Sequence, residues 1–187
     1  MSIVLVGSTS GSVTLQEPAV SGTTVLTLPA VSGTVLTTGS SGQSIPKAAL
    51  PTGSVLQVVQ GTSTTSTSAS TSTFVSVGLS ASITPLFSTS KILAIALGGT
   101  IYTNAGGNQA RMTIYRDSTN LGDASRGMSQ YSAGTTYIQG GLSIGYLDSP
   151  ATTSATTYAV YMASGGGTVN YTVDSSVGSI ILMEIAA

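Results

Sequence analysis

The sequence predicts an all-β chain: a short N-terminal β-repeat segment followed by a C-terminal jelly-roll-like β-sandwich. Three observations carry this. Runs rich in β-branched and aromatic residues alternate with Gly, Pro and Ser clusters along the whole length, and no stretch has a helical apolar period. A pentapeptide repeats near the start. The spacing of the later runs gives eight or nine strands over about 135 residues, the density of a two-sheet sandwich.

The repeat is Pro18-Ala19-Val20-Ser21-Gly22, which returns unchanged as Pro29-Ala30-Val31-Ser32-Gly33. Gly11, Gly22 and Gly33 fall on one grid, and each is followed by a short β-branched run. Each unit reads as one strand closed by a turn. Units this small cannot bury an apolar face alone, so the segment is expected to be wound with other chains or laid on a partner. Its apolar residues Val13, Leu15, Val25, Leu26, Leu28, Val35 and Leu36 are the candidate anchoring groups. The segment spans residues 1–44, a Pro-bracketed neck spans 45–51, and the sandwich spans 52–187.

Within the sandwich, strands are expected at 54–60, 73–82, 91–102, 109–116, 125–131, 137–147, 156–163, 168–173 and 179–185. The Ser/Thr tract at 62–72 is either a loop or a weak edge strand. In 92–97 and 180–185 both parities are apolar, whereas a sheet wetted on one face alternates. Such strands point to a sheet covered on its outer side by another copy of the chain. Ile92, Ala94, Ile180, Leu182 and Glu184 are the candidate interface residues, with Lys91 or an arginine as the expected partner of the Glu184 carboxylate.

Composition narrows the chemistry. Charged residues make up 6% of the 187-residue chain, Ser and Thr about a third, and His, Cys and Trp are absent. The commonest general base, the thiol nucleophile and the usual zinc and copper ligands are therefore missing. Five scattered cations at a net charge of -1 offer no track for phosphates, so no nucleic acid is expected as a partner. Mean hydropathy is positive, yet the longest clean apolar runs, 92–97 and 180–183, fall far short of the about 20 residues of a spanning helix. Aromatic girdles of a membrane barrel are not evident, and no membrane insertion is expected. The N-terminus lacks the basic and apolar regions of a secretory signal, which weighs against a cellular adhesin.

Several segments together resemble a bacteriophage fibre protein: the Val-Ser-Gly-Thr and Leu-Pro units of the N-terminus, Leu50-Pro51-Thr52-Gly53-Ser54-Val55-Leu56-Gln57, Leu79-Ser80-Ala81-Ser82-Ile83-Thr84-Pro85, Arg111-Met112-Thr113-Ile114-Tyr115-Arg116-Asp117 and Ile181-Leu182-Met183-Glu184-Ile185. The resemblance implies a homotrimer located in the virion. Its slender N-terminal part would dock on another virion protein of tail or capsid, and its knob would meet a glycan or protein of the host surface. The missing long shaft favours a short tail fibre or a capsid-bound fibre, and keeps capsid decoration as the alternative.

No enzyme, metal or cofactor is expected. Asp117 and Asp123 are the close acidic pair, but they flank a turn, where Asp and Asn cap backbone amides without any catalytic role. Receptor contact is expected from loops bearing amides and Tyr, which stack on sugar rings at low entropic cost. Arg126, Gln130, Tyr131, Asn104 and Asn108 are the candidates.

Overall fold

A computed structural model describes residues 3–6, 8–15, 47–103, 107–132, 134, 138–172 and 175–187. The chain divides into two compact units, residues 1–44 and 45–187. In the first, β1 (Ile3–Val6) and β2 (Ser12–Leu15) form an antiparallel hairpin with Ile3 opposite Leu15 and Val6 opposite Ser12. Gly11, at φ 80°, supplies the left-handed residue that returns the chain into β2. Val13 and Leu15 therefore lie on a paired strand. Val25, Leu26, Leu28, Val35 and Leu36 lie outside the described residues, as does the Pro-Ala-Val-Ser-Gly repeat.

The second unit opens with a single 3-10 turn, η1 (Lys47–Ala49), in the Pro-bracketed neck. The strands that follow are β3 (Val55–Ser63), β4 (Thr67–Ala69), β5 (Val75–Ile83), β6 (Lys91–Thr103), β7 (Gln109–Arg116), β8 (Thr119–Asn120), β9 (Ser129–Ser132), β10 (Ile138–Asp148), β11 (Thr156–Ser164), β12 (Val169–Tyr171) and β13 (Gly178–Ile185). All nine expected strands are present. The Ser/Thr tract is shared between the end of β3 and the short strand β4. The expected strand at 125–131 is shorter and later, because Asp123 and Gly127 close a tight turn by exchanging backbone hydrogen bonds of 3.2 and 2.9 Å.

Two antiparallel sheets face each other as a β-sandwich. In the first, β6 has β10 along one side, while β13 and β12 follow one another along its other side; β3 then borders β13 and β4 borders β12. In the second, β11 lies between β5 and β7, and β9 and β8 share the far side of β7. Counting along the second unit the eight strands of four residues or more, the orders are first-eighth-third-sixth and second-seventh-fourth-fifth.

Alternation decides which side chains meet between the sheets. On β5 the buried residues are Val77, Leu79, Ala81 and Ile83, every second position. Met112, Ile114, Tyr158, Val160 and Met162 complete the inner face of the second sheet, and Ile92, Ala94, Ala96, Ile101, Ile180 and Leu182 pack against them from the first. All but Ala81, at 8%, lie within about 2% of complete burial.

Long β6 can serve two neighbours in tandem because it carries a bulge. Thr100 is opposite Gly141 and Gly98 is opposite Leu142, so Gly99 is the extra residue. Its φ is +63°, and a Cβ there would enter the ring of Tyr171. That ring is fully buried, its hydroxyl donates to the Gly98 carbonyl at 3.3 Å, and burial pushes its pKa up to about 12. Gly99→Ala is therefore expected to cost about 2 kcal/mol or more, from left-handed strain plus displacement of the ring, read as a lower urea midpoint at unchanged m.

Candidate functional site

The residues expected to form a subunit interface point the other way. Ile92, Ala94, Ile180, Leu182 and Glu184 have no exposed area in the single chain, because their parity is the one turned toward the second sheet. The opposite parity faces outward. Register sets Val58, Met183, Leu93 and Leu147 side by side in one row across β3, β13, β6 and β10 of the first sheet. Ile181 and Ile95 follow in the next row, flanked by Gln60 and Gly145, and Leu97 lies in the row beyond with Ser179, Thr62 and Ser143. Val58 is 57% exposed, Leu147 50% and Leu97 42%. The apolar outer face predicted from two-sided strands is thus there, carried by the residues between those first chosen.

Toward the other end of this sheet the surface turns polar. Tyr102 is opposite Asn170 and Gln139, and Asn170 accepts a hydrogen bond from Ser68 at 2.6 Å. Among the described residues, Lys91 at the near end is the one formally charged side chain on the outward parity of 91–97, 179–185 and the strands facing them.

Glu184 lies between the sheets without a cationic partner, correcting the expected ion pair. Its Oε2 accepts from the Gln57 amide at 2.6 Å, and its Oε1 accepts from the backbone N–H of Leu86 at 2.8 Å and of Phe87 at 3.4 Å. Burial pushes this carboxyl up, but the nearby Ser90 hydroxyl, the Gln57 amide and the two backbone N–H groups outweigh it, leaving the pKa below the ordinary carboxylate range.

An ion pair among the described residues of the sandwich lies elsewhere. Arg116 Nη1 is 2.9 Å from both oxygens of Asp148, and the buried Tyr158 hydroxyl donates to Oδ2 at 2.7 Å. Burial, then the bond to Asp148, raises the Tyr158 pKa. Of the two β7 arginines it is Arg116 that turns inward. Arg111, on the opposite parity, donates to the Ser125 carbonyl at 3.0 Å and to Gln109 at 3.1 Å.

The loop candidates for receptor contact are largely engaged within the chain. Asn108 is 6% exposed and donates to the Thr168 carbonyl at 3.3 Å, so it packs inward instead of presenting an amide to a ligand. Tyr131 is half-buried against the core, with its hydroxyl donating to the Gly141 carbonyl at 3.1 Å. Gln130 is half-buried and donates to Ser132 at 3.2 Å. Arg126 alone of the described candidates is exposed, and Asn104 lies outside the described residues. The bonds of Asn108 and Tyr131 were not legible in the sequence, since their acceptors are 60 and 10 residues away and reach them only in the fold.

Asp123 caps its turn, accepting from the backbone N–H of Arg126 at 2.7 Å and of Ser125 at 2.8 Å, and these bonds hold its carboxyl below the usual range. Asp117, at φ 50°, accepts from the Thr157 N–H at 3.0 Å. Both carboxylates are occupied with backbone. Among the described residues no group of three or more His, Cys, Asp or Glu side chains could hold a metal ion. A cavity of about 240 Å³ near the neck is lined by Lys47, Leu50, Phe87, Ser90 and Ala186 among others.

No family model and no curated protein matches the chain. Among solved structures, the VP2 subviral particle of infectious bursal disease virus is similar at 15% identity and a TM-score of 0.42, over 71% of this chain and 34% of that one. A mutant VP2 of the same virus, from derived T=1 particles, is similar at 13% identity and a TM-score of 0.34, over 70% of this chain and 40% of that one. The chain thus spans about a third of the length of the first of these proteins.

Proposed function

We propose that this chain is a non-enzymatic structural protein of a bacteriophage particle: a trimeric fibre anchored through residues 1–44, with the sandwich as its knob toward the host surface. The observation that carries the reading is the strand order. First-eighth-third-sixth facing second-seventh-fourth-fifth is the arrangement of an eight-stranded jelly roll, a fold used by capsid and lectin domains among others. Fold alone does not name a function. The segmental resemblance to phage fibres supplies the rest, together with a surface wetted by hydroxyls and nearly free of charge. Several copies per particle would let weak contacts add through avidity.

Capsid decoration is the second reading, and one observation favours it. The amide and Tyr side chains chosen for receptor contact are mostly spent on internal hydrogen bonds, which leaves less of the knob's loop surface for recognition. Gold-labelled antibody against residues 52–187, applied to intact particles, separates the two. Label at the tail or on projecting fibres is the result expected for a fibre; label spread over the shell establishes decoration; particles without label overturn both.

A further inference from the structure

We infer that the apolar outer face of the first sheet is an interface between copies of this chain, centred on the row Val58, Met183, Leu93 and Leu147. This rests on the fibre reading for its stoichiometry and on the geometry of the sheet for its location. Four strands about 4.8 Å apart, with outward rows about 6.8 Å apart, give the three rows from Leu93 to Leu97 roughly 400 Å² in projection, of which the seven apolar positions cover about 230 Å². The three rows are within the range of the largest patch on a typical monomer, which is often functional, and about half of the roughly 800 Å² per partner that a stable interface buries. Interfaces with an apolar centre and a polar margin have this anatomy. Gln60, Thr62, Ser143 and the Ser68–Asn170 pair provide such a margin.

Charge argues for a copy of this chain as the occupant. The patch offers a charged partner one ammonium group, Lys91, at its edge, and no acidic side chain among the described residues. The surface that complements it is apolar and neutral, and a chain with 6% charged residues that carries this patch supplies one. The edge of the sheet adds to this. Strand β10 is eleven residues long and pairs with β6 alone among the described strands, so its other side, beside Leu147 and Ser143, has no strand partner among them. A long edge with no charge on its outward side chains, next to an apolar face, invites indiscriminate pairing, and a closed symmetric assembly removes both hazards together.

The test uses the full chain, with mass measured by light scattering and native mass spectrometry at micromolar concentration. Val58→Lys with Leu147→Lys places two charges on side chains that are at least half exposed, so the sandwich keeps its core. The control, Ser76→Lys with Ser80→Lys, adds the same charges to exposed positions on the outer side of the second sheet. The expected result is a trimeric parent and control, with self-association of the Val58/Leu147 variant weakened at least about a hundredfold while its β circular dichroism persists. A dimeric parent that the variant dissociates supports the interface and overturns the trimer of the fibre reading. A trimer that survives the variant overturns the interface and leaves the fibre reading standing. A monomeric parent, as when another part of the chain covers the patch, overturns both.

Discussion

Asp148→Ala is expected to lower the unfolding free energy by about 3 kcal/mol, the lower end of the range for breaking a buried ion pair. Asp148 is 6% exposed, whereas the Arg116 side chain keeps 27% of its surface in water, which softens the loss on the arginine side. Two donors lose their acceptor at once: the guanidinium at 2.9 Å and the Tyr158 hydroxyl at 2.7 Å. Arg116 ends β7 and Tyr158 begins β11 in the second sheet, while Asp148 ends β10 in the first. The cluster therefore pins the two sheets together at one end of the sandwich.

The size of the effect separates this account from a surface salt bridge, which would be worth about 0 to 1 kcal/mol. Tyr158→Phe removes one donor and leaves the pair intact, so a loss of about 1 kcal/mol is expected. Arg116→Ala and Asp148→Ala combined should cost clearly less than the sum of the single changes, since each alone leaves the other member of the pair stranded. Chemical denaturation of the four variants measures all of these. Additive losses, or an Asp148→Ala variant within about 0.5 kcal/mol of the parent, would show that the pair is solvated and carries little.

Legibility followed from how local each signal was. Strand β7 ends where the residues put it, at Gln109 and Arg116, because turn-forming Gly107 precedes it and Asp117 takes up the left-handed conformation after it. Parity on β6 and β13 was not legible. In Ile92-Leu93-Ala94-Ile95-Ala96-Leu97 both sets are apolar, so the inward one is chosen by what the paired strands bring: Asp148 opposite Ile92, Ile144 opposite Ala96. The same limit applies to the loops. Asn108 and Tyr131 look like recognition groups until the fold delivers the carbonyls of Thr168 and Gly141 to them. Two-residue β8 and the three-residue β4 have too few positions to show a period at all.

Glu184 is where local reasoning failed most completely, and it yields the second large effect. A carboxylate with no exposed area and no cation beside it survives only because four groups from outside its own strand turn toward it: Ser90, Gln57 and the backbone N–H groups of Leu86 and Phe87. Glu184→Ala strands the two N–H donors and opens a cavity, for an expected loss of about 3 kcal/mol. Glu184→Gln is the sharper variant because it keeps the volume. Its amide nitrogen must face either the Leu86 N–H or the Gln57 amide nitrogen, donor against donor. Gln57 cannot turn over to help, since the same nitrogen also donates to the Thr84 carbonyl at 2.7 Å. A loss of about 2 kcal/mol is expected at neutral pH. The sign with pH follows from a folded pKa below the unfolded one: the carboxylate contributes its full stabilisation above the unfolded value of about 4.3 and loses it as pH falls through the lowered folded value. The gap between parent and Glu184→Gln should therefore narrow on acidification. Parallel stability curves for the two proteins between neutral pH and the acid limit of folding would mean that Glu184 is held protonated, and that its cradle of donors does not act on a charge.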